Sequence, residues 1–205
     1  MQYDAIIVGG SFAGLSVARQ LQGNVLLVTK HPLGSSQTSA CCTYLPVLEQ
    51  LGCEEAILQT FRTVVVHFPN RTIAFRPRTP LCTFDYSIFC QSLARRLTAD
   101  VVVATAQAHH HDVLLTTAGQ FKTSCLIDCS GWGAALARRR QPNFVRHDRL
   151  SFGLETEVPS SDEAMHFYFD REIINKGVAW VFPCGTYSRV GVGSYEGDTH
   201  IKSSL

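Results

Sequence analysis

The chain begins with an apolar strand that leads directly into a glycine-rich turn and then into a helix. Within the opening MQYDAIIVGGSFAGLSVARQ, the apolar residues 5–8 predict a buried parallel strand. Gly9, Gly10 and Gly14 follow at the bend, and apolar residues at helical spacing come next. The first turn of such a helix presents free N–H groups to a phosphate. The pattern therefore predicts a phosphate-binding turn of the kind that holds dinucleotides.

One position of this turn departs from the usual dinucleotide pattern. In GxGxxG the glycines allow the tight turn, the close approach of the pyrophosphate and the packing of helix on strand. Here those three positions hold Gly9, Ser11 and Gly14. Serine is small, and its hydroxyl can donate a hydrogen bond to a phosphate oxygen. The substitution is therefore compatible with phosphate binding.

The residues after the turn supply the context that such a motif needs. Gly23 ends the helical pattern, and the apolar residues 24–29 predict a second buried strand, completing a βαβ unit of about 30 residues. Thr29 and Lys30 stand where an acidic residue usually holds the ribose hydroxyls. We therefore expect a lower affinity for the adenosine part of the dinucleotide. An ordinary α/β turn that binds nothing is the alternative.

The amino-acid composition limits the kinds of molecule that this chain is expected to bind. Hydrophobic residues make up 45% of the 205 residues, which is ample for a core of one domain or two small ones. Lysine and arginine total 18 against 17 acidic residues, so no general attraction to nucleic acid or to an acidic membrane is expected. The start resembles no signal peptide, and no apolar run approaches about 20 residues. We expect a cytoplasmic protein with a small-molecule ligand.

Cysteine and histidine are frequent, yet their spacing does not indicate a metal site. The cysteines show no CxxC pair and no zinc spacing, so we expect most of them to be small buried residues in a reducing compartment. Residues 109–111 form a run of three histidines between a strand and an apolar segment, where an exposed turn is the simpler interpretation than a metal tract. No metal is predicted.

Residues 32–125 mix helical and β patterns. Small and polar residues predict a loop at 32–43 that lies over a cofactor, and residues 45–58 read as helical. Two β-rich runs separated by Pro-Asn predict a hairpin, and a capped helix precedes a return to strand. The runs are, in order, the hairpin 63–68 and 71–75, the helix to about residue 97, the strand 101–105, and an antiparallel pair at 112–117 and 120–125.

The second half of the chain shows residue patterns that are typical of β-strands. LIDCSG at residues 126–131 is an apolar strand end followed by small residues, which suits a second approach to a phosphate or ribityl group. From residue 151 onward, FGLETEV, MHFYF, GVAWVFP and RVGVGSY predict four short strands in succession. An antiparallel sheet beside a nucleotide domain is a common ligand wall.

Four segments in this order resemble flavin-dependent oxidoreductases of the geranylgeranyl reductase type, within the group that includes para-hydroxybenzoate hydroxylase. They are VGGSFAG, SACCT, LIDCSGW, and GVAWVFP followed by RVGVGSY. The last pair is the most specific, because the family pattern combines an aromatic residue, Trp and Phe-Pro with a valine- and glycine-rich strand. The resemblance covers essentially the whole chain.

The resemblance implies FAD in the glycine turn and assigns residues around it. The residues expected to bind the cofactor are Gly9, Gly10, Ser11, Phe12, Ala13 and Gly14 around the pyrophosphate, Thr29 and Lys30 beside the adenosine ribose, and Cys129, Ser130 and Gly131 as the second flavin motif. Tyr86 stands where related proteins often carry an arginine. Ala40, Cys41 and Cys42 fall where related reductases carry a cysteine close to the flavin, and packing is the more favoured role for these thiols.

Trp180, Phe182 and Pro183 resemble the residues that line the substrate cavity in this family. Tryptophan and phenylalanine offer large rigid surfaces, which suit an apolar substrate such as an isoprenoid. The alternative is an ordinary core role for an aromatic residue in a strand. A lipid substrate would bring transient contact with a membrane surface.

The family's third flavin motif, an apolar strand ending in Gly-Asp, lies beyond the Trp-Phe-Pro segment. Gly197 and Asp198 lack the apolar strand and the small-residue helix start, so we expect a surface turn there. The chain therefore resembles the N-terminal portion of a longer flavoprotein.

These patterns predict an α/β fold with an FAD/NAD(P)-binding Rossmann-like domain and an inserted and following antiparallel β-sheet region. The predicted FAD-binding domain comprises residues 1–62 and 82–148, and the substrate region comprises 63–81 and 149–205. The expected function is hydride transfer between flavin and an apolar substrate, with NADPH or another reductant as donor. No catalytic residue is assigned. The alternatives are a flavin-dependent monooxygenase or halogenase, and a truncated remnant without catalysis.

Overall fold

The computed structural model describes residues 1–37, 39–195, 197 and 201. The chain forms two compact units, Met1–Gln37 with Tyr86–Val145 and Thr38–Asp85 with Arg146–Leu205. Each unit is therefore built from segments that are distant in sequence. Residues 39–62, 82–85 and 146–148, which the sequence pattern assigns to the cofactor domain, lie in the second unit.

Short strands dominate both units. The strands are β1 (Gln2–Val8), β2 (Val25–Thr29), β3 (Cys42–Tyr44), β4 (Ile57–Phe61), β5 (Val64–Phe68), β6 (Arg71–Phe75), β7 (Leu81–Phe84), β8 (Asp100–Val103), β9 (Ala106–His110), β10 (Val113–Thr116), β11 (Gly119–Asp128), β12 (Gly153–Pro159), β13 (Met165–Tyr168), β14 (Gly177–Pro183) and β15 (Tyr187–Ser194). The α-helices are α1 (Phe12–Ala18), α2 (Leu45–Leu51), α3 (Tyr86–Ala94) and α4 (Ala137–Arg140).

The described residues of the first unit form a six-stranded sheet in the order β8-β2-β1-β11-β10-β9. The strands β8, β2, β1 and β11 run parallel, while β10 and β9 add antiparallel at one side. Val8 pairs with Val28 on one side and with Asp128 on the other. The carboxyl ends of three neighbouring strands therefore meet at one edge of the sheet, and the glycine turn begins there.

The core of this unit explains why β2 and the second half of β1 are almost entirely apolar. Ile6, Leu26 and Leu114 are almost fully buried in one cluster, whereas Leu15 of α1 and Leu93 of α3 are completely buried side chains of the helices. A parallel strand between two others is covered on both faces, so it carries no polar alternation. The burial of β2, where all five residues are buried, follows this rule.

The second unit contains a six-stranded sheet in the order β12-β15-β14-β13-β5-β6 among its described residues, and a smaller sheet in the order β3-β7-β4. The predicted hairpin is confirmed as β5 and β6, and the four predicted strands of the second half are confirmed as β12 to β15. The chain is thus a mixed α/β protein with several sheets.

One pair of neighbouring strands contradicts the expectation that the β region is antiparallel. The hairpin strand β5 pairs parallel with β13, with Val64 beside Met165 and His67 beside Tyr168. The hairpin precedes β13 by about a hundred residues, so the direction in which it meets the sheet is set by tertiary packing. No local pattern records that direction.

Several element boundaries also differ from the prediction. The helix predicted over 45–58 ends at Leu51, because Gly52 adopts a left-handed conformation with φ of 62° and closes the helix. Residues 57–61 then pair with β7 instead of continuing the helix. Similarly, the end of the loop predicted over 32–43 forms β3 with a pairing partner in β7.

The histidine run was predicted to lie in an exposed turn, and this is wrong for its first two members. His109 and His110 belong to β9 and pair with β10, whereas His111 makes the turn with a φ of 52°. Asp198 lies outside the described residues, and Gly197 lies in a turn with a φ of 74°. No helix in the described part of the chain is long and apolar enough to cross a membrane.

Candidate functional site

The three glycines of the first turn make close contacts with their neighbours. Gly9 has a φ of 118°, and a methyl group there would overlap the carbonyl oxygen of Cys129. A methyl group at Gly14 would overlap the carbonyl oxygen of Gly9, and one at Gly10 would overlap the Thr29 side chain. The turn is therefore compressed against the end of β11 and against α1. Gly9 and Gly14 must be glycine because their clashes involve backbone atoms that cannot rotate away, whereas the neighbours of Gly10 are the side chains of Thr29 and Leu33.

Ser11 is bonded to a tyrosine rather than to the helix that it precedes. It occupies the N-cap of α1 with extended backbone, and its side chain makes no capping hydrogen bond. Instead, its Oγ accepts a hydrogen bond of 3.0 Å from the hydroxyl of Tyr86. Tyr86 is 5% exposed. Ser11 is thus tied to a buried tyrosine at the start of α3.

Aromatic rings pack the outer side of the turn. The ring of Phe12 lies 5.2 Å from that of Tyr86 and 5.2 Å from that of Phe89 in α3. Ala13 is exposed at the next position of α1. Because the first N–H groups of any helix have no partner within it, this end of α1 offers donors beside an exposed small residue.

Thr29 and Lys30 differ in their surroundings. Thr29 is 5% exposed, and its hydroxyl donates a 2.8 Å hydrogen bond to the carbonyl of His31. Its oxygen keeps acceptor capacity, since a hydroxyl has two lone pairs. Lys30 is exposed. Neither side chain supplies the paired acceptor oxygens of an acidic residue.

A second loop meets the turn from the neighbouring strand. The backbone N–H of Cys129 donates a 2.7 Å hydrogen bond to the carbonyl of Val8, which places the loop directly beside Gly9. Gly131 has a φ of 78° and open space where a side chain would lie. The motif predicted around Cys129, Ser130 and Gly131 is therefore adjacent to the glycine turn at its first residue.

Asp128 organises this loop, and the sequence-based assignment had missed it. Its Oδ1 accepts from the Ser130 backbone at 3.0 Å and from the Ser130 hydroxyl at 2.5 Å. Its Oδ2 accepts from the backbones of Leu136 at 2.9 Å and Ala137 at 2.8 Å. Burial alone raises the pKa of Asp128, but these hydrogen bonds outweigh it and lower the pKa below its ordinary value. The available signal was an aspartate two residues before a serine, which favours local side-chain bonding to backbone.

In the second unit, several of the predicted residues share one cluster. Ala40, Cys42 and Trp180 pack against a core that includes Phe182 and Met165. Cys41 is fully buried with a φ of 52°, and its thiol donates to the carbonyl of Ser39 at 3.2 Å. The chain around Cys41 is therefore packed in the interior of the second unit.

The thiols of this cluster are held in the neutral form. Burial raises the pKa of Cys42 to about 12, and the neighbouring Cys82, Cys184 and Cys41 add to the effect. Burial likewise raises the pKa of Cys82 to about 11. Because the thiolate is the reactive form of cysteine, these side chains act chemically as small apolar residues.

Trp180 lies across the face of the larger sheet of the second unit. It pairs with Gly191 of β15, and a side chain at Gly191 would overlap the indole ring. The indole N–H donates a 3.0 Å hydrogen bond to Glu155 of β12, the strand beyond. Burial raises the pKa of Glu155. The ring of Phe182 stacks beside the indole at 5.7 Å.

Pro183 and Arg189 lie in the same part of the second unit. Pro183 is buried, and its carbonyl accepts a 2.8 Å hydrogen bond from Thr83. Arg189 is 3% exposed and donates to the carbonyl of Phe84 at 3.1 Å. Its charge lies 3.9 Å from Glu155. Neither Arg189 nor Glu155 was identified from the sequence, since a single charged residue in a strand does not indicate burial.

Metal binding is not indicated by the geometry. Among the residues that the structure describes, no group of three or more histidine, cysteine or acidic side chains is arranged to hold a metal ion.

The fold is shared with flavin-dependent enzymes. A geranylgeranyl bacteriochlorophyll reductase-like protein from Thermoplasma acidophilum matches 100% of this chain with a TM-score of 0.83 at 19% identity, and the match covers 59% of that protein. A flavin-dependent brominase matches 96% of the chain with a TM-score of 0.71 at 15% identity, over 56% of its own length. A 2-methyl-3-hydroxypyridine-5-carboxylic acid oxygenase matches 97% with a TM-score of 0.67 at 19% identity, over 60% of its length.

The chain thus spans about three fifths of each of these proteins. No protein-family model matches the sequence, and neither does any curated protein. At this level of identity the similarity establishes a common fold.

Proposed function

We propose that this chain is the cofactor-binding and substrate-side part of an FAD-dependent oxidoreductase. The observation that carries the proposal is the glycine turn, where Gly9, Gly10 and Gly14 each lack room for a side chain. Such a turn, at the carboxyl edge of parallel strands and leading into a helix, suits a Rossmann-like cradle for a pyrophosphate. The flavin-dependent proteins of the same fold support FAD as the dinucleotide.

Each residue around the turn has a proposed role toward FAD. Backbone groups of residues 9–14 approach the pyrophosphate, and the hydroxyl of Ser11 shares its bonding between Tyr86 and a phosphate oxygen. Thr29 and Lys30 lie on the adenosine side, where the exposed ammonium reaches a ribose or phosphate oxygen. The loop of Cys129, Ser130 and Gly131 forms the second flavin-binding segment.

The second unit is proposed to face the substrate. Trp180 is half-buried, so part of its ring remains available beside Phe182. Phe182 and Pro183 are buried, so the partly exposed Trp180 offers the apolar contact area, and burial of apolar area binds hydrocarbon at roughly 25 cal/mol per Å². We therefore propose an apolar substrate, with an isoprenoid as one candidate.

The flavin, when bound, supplies the hydride chemistry at its N5 position. The residues of this chain orient the cofactor, bury the hydrocarbon and exclude water. Ala40, Cys41 and Cys42 are proposed to pack near the flavin as apolar groups, because the pKa of Cys42 is raised to about 12 by burial. NADPH or another reductant is the proposed electron donor.

A monooxygenase or halogenase is the second candidate, and the fold shared with a brominase and an oxygenase favours it. Product analysis separates the two. Under oxygen, with and without bromide, a reductase leaves its substrate unoxygenated and unhalogenated, whereas the second candidate incorporates oxygen or halogen. A third candidate is a chain that folds without cofactor and has no catalytic activity, for which no product forms.

A charge placed at the turn tests cofactor binding directly. Ala13 is exposed in the first turn of α1, which contains no acidic residue. Ala13→Glu stabilises the helix through its dipole but repels a bound pyrophosphate. We expect the FAD affinity of the purified chain, followed by the flavin absorbance bands, to fall at least about tenfold, which needs only about 1.4 kcal/mol of repulsion.

Ala13→Gln is the matched control, because it adds a side chain of the same size without the charge. It is expected to keep most of the affinity. A folded wild-type chain that remains colourless when FAD is added contradicts the proposal, and so does an Ala13→Glu variant that binds FAD as well as Ala13→Gln.

A further inference from the structure

A cavity of about 720 Å³ lies in the first unit, at the side of β11. The histidines of residues 109–111 and the side chains of Arg139 and Arg140 line it, together with apolar groups that include Leu126 and Leu136. The lining residues do not include the glycine turn. The volume is in the range of sites that hold drug-sized or nucleotide-sized ligands, about 300 to 1,000 Å³.

The basic groups of this cavity are not neutralised from within the protein. In the part of the chain that the structure describes, neither Arg139 nor Arg140 has an ion-pair partner, and the same holds for the histidines at 109–111. Both arginines are exposed on α4. Arg139 and Arg140 therefore bring two positive charges to the cavity, against the single carboxylate of Asp128.

Asp128 is the acidic residue among the lining groups, and its carboxylate is already fully used. Its two oxygens accept four hydrogen bonds, two from Ser130 and one each from Leu136 and Ala137. A carboxylate offers about four lone-pair positions, so none is left to bind Arg139 or Arg140. Its donors also fix the start of α4, from which both arginines project.

We propose that this cavity binds a small molecule that carries phosphate groups, at a site distinct from the flavin cradle. Guanidinium groups bind phosphate oxygens in pairs of parallel hydrogen bonds, and two adjacent arginines suit a diphosphate. The apolar side chains of Leu126 and Leu136 accept the non-polar part of such a molecule. The histidines at 109–111 add ring nitrogens that hydrogen-bond to phosphate oxygens.

Pyrophosphate is a suitable probe for the charged part of the ligand. We expect it to bind the purified full chain in isothermal titration calorimetry at about pH 8, through the two guanidinium groups of the cavity.

Two double variants make the test specific. Arg139→Gln with Arg140→Gln is expected to weaken pyrophosphate binding at least about tenfold. Arg76→Gln with Arg78→Gln removes the same charge from exposed positions in the second unit and is expected to leave it unchanged. All four arginines are exposed, so both variants should fold, which circular dichroism verifies.

Equal weakening by both arginine pairs, or no binding to the wild-type chain, would overturn the proposal. FAD uptake is measured separately, so a failure here leaves the cofactor proposal intact.

Discussion

Replacement of Asp128 by asparagine tests the view that one carboxylate holds the loop beside the glycine turn. The two oxygens of Asp128 each accept two hydrogen bonds, at 2.5 to 3.0 Å. Asparagine offers a single acceptor oxygen, so in either orientation its amide group faces two donors. Two hydrogen bonds to a charged acceptor are lost, and two donors lose their partner.

The expected cost is a substantial fraction of the stability of a small domain. A hydrogen bond to a charged group contributes about 1.5 to 3 kcal/mol when buried. Asp128 is only half-buried, so water replaces part of the loss. We therefore expect Asp128→Asn to lower the free energy of unfolding by about 2 to 3 kcal/mol, which shifts a urea midpoint by roughly 1 M.

The pKa of Asp128 determines how the effect of Asp128→Asn on the free energy of unfolding changes with pH. The pKa of Asp128 in the folded chain is lowered by its hydrogen bonds, despite burial, relative to the unfolded chain. Its stabilising effect is therefore fully present above about pH 4, the ordinary range of aspartate, and is lost as the pH falls through the folded value. The difference between wild type and variant should shrink accordingly in acid.

The assay is urea unfolding followed by circular dichroism at several pH values. Asp112→Asn is the control, because it removes the same charge from an exposed side chain in the same unit. A variant as stable as the wild type at neutral pH, or a loss as large as that of Asp128→Asn in the control, would refute this account of the loop.

Three further predictions follow from particular side chains. Gly191→Val should lower the free energy of unfolding by about 1 to 3 kcal/mol and change the tryptophan fluorescence, because the new side chain overlaps the indole above it. In a thiol-labelling experiment at about pH 8, exposed Cys125 should react first and Cys42 should stay protected, since burial raises the pKa of Cys42 to about 12. The pKa of His67 is lowered by burial and then by neighbouring His166, so the melting temperature should fall as the pH drops below about 6.5, and His67→Gln should reduce this dependence.

Local features of the chain were predictable because their physical causes lie in adjacent residues. The glycine turn, the strands on either side of it and the hairpin at β5 and β6 all follow from short-range patterns of glycine and apolar residues. The end of the helix at Leu51 was also accessible in principle, since Gly52 is a typical helix terminator. The apolar residues that follow it concealed the signal, because they fit either a helix or a strand.

Features that depend on distant residues were not predictable in this way. The role of Asp128 depends on donors up to nine residues away, and that of Tyr86 on a serine 75 residues earlier in the chain. The parallel seam between β5 and β13 joins segments about a hundred residues apart. Side-chain chemistry alone does not indicate which partner a residue meets at such separations.

The sequence by itself determined that a glycine-rich turn lies in a βαβ unit near residue 9 and that short paired strands follow residue 151. These outcomes follow from glycine's access to positive φ and from the periodicity of apolar residues, which act within a few positions. Only the tertiary structure decided that the turn is compressed against Cys129, that a buried tyrosine binds Ser11, and that Trp180 lies over Gly191. Those contacts arise when strands pair and side chains pack, and they bring together residues whose proximity no local pattern encodes.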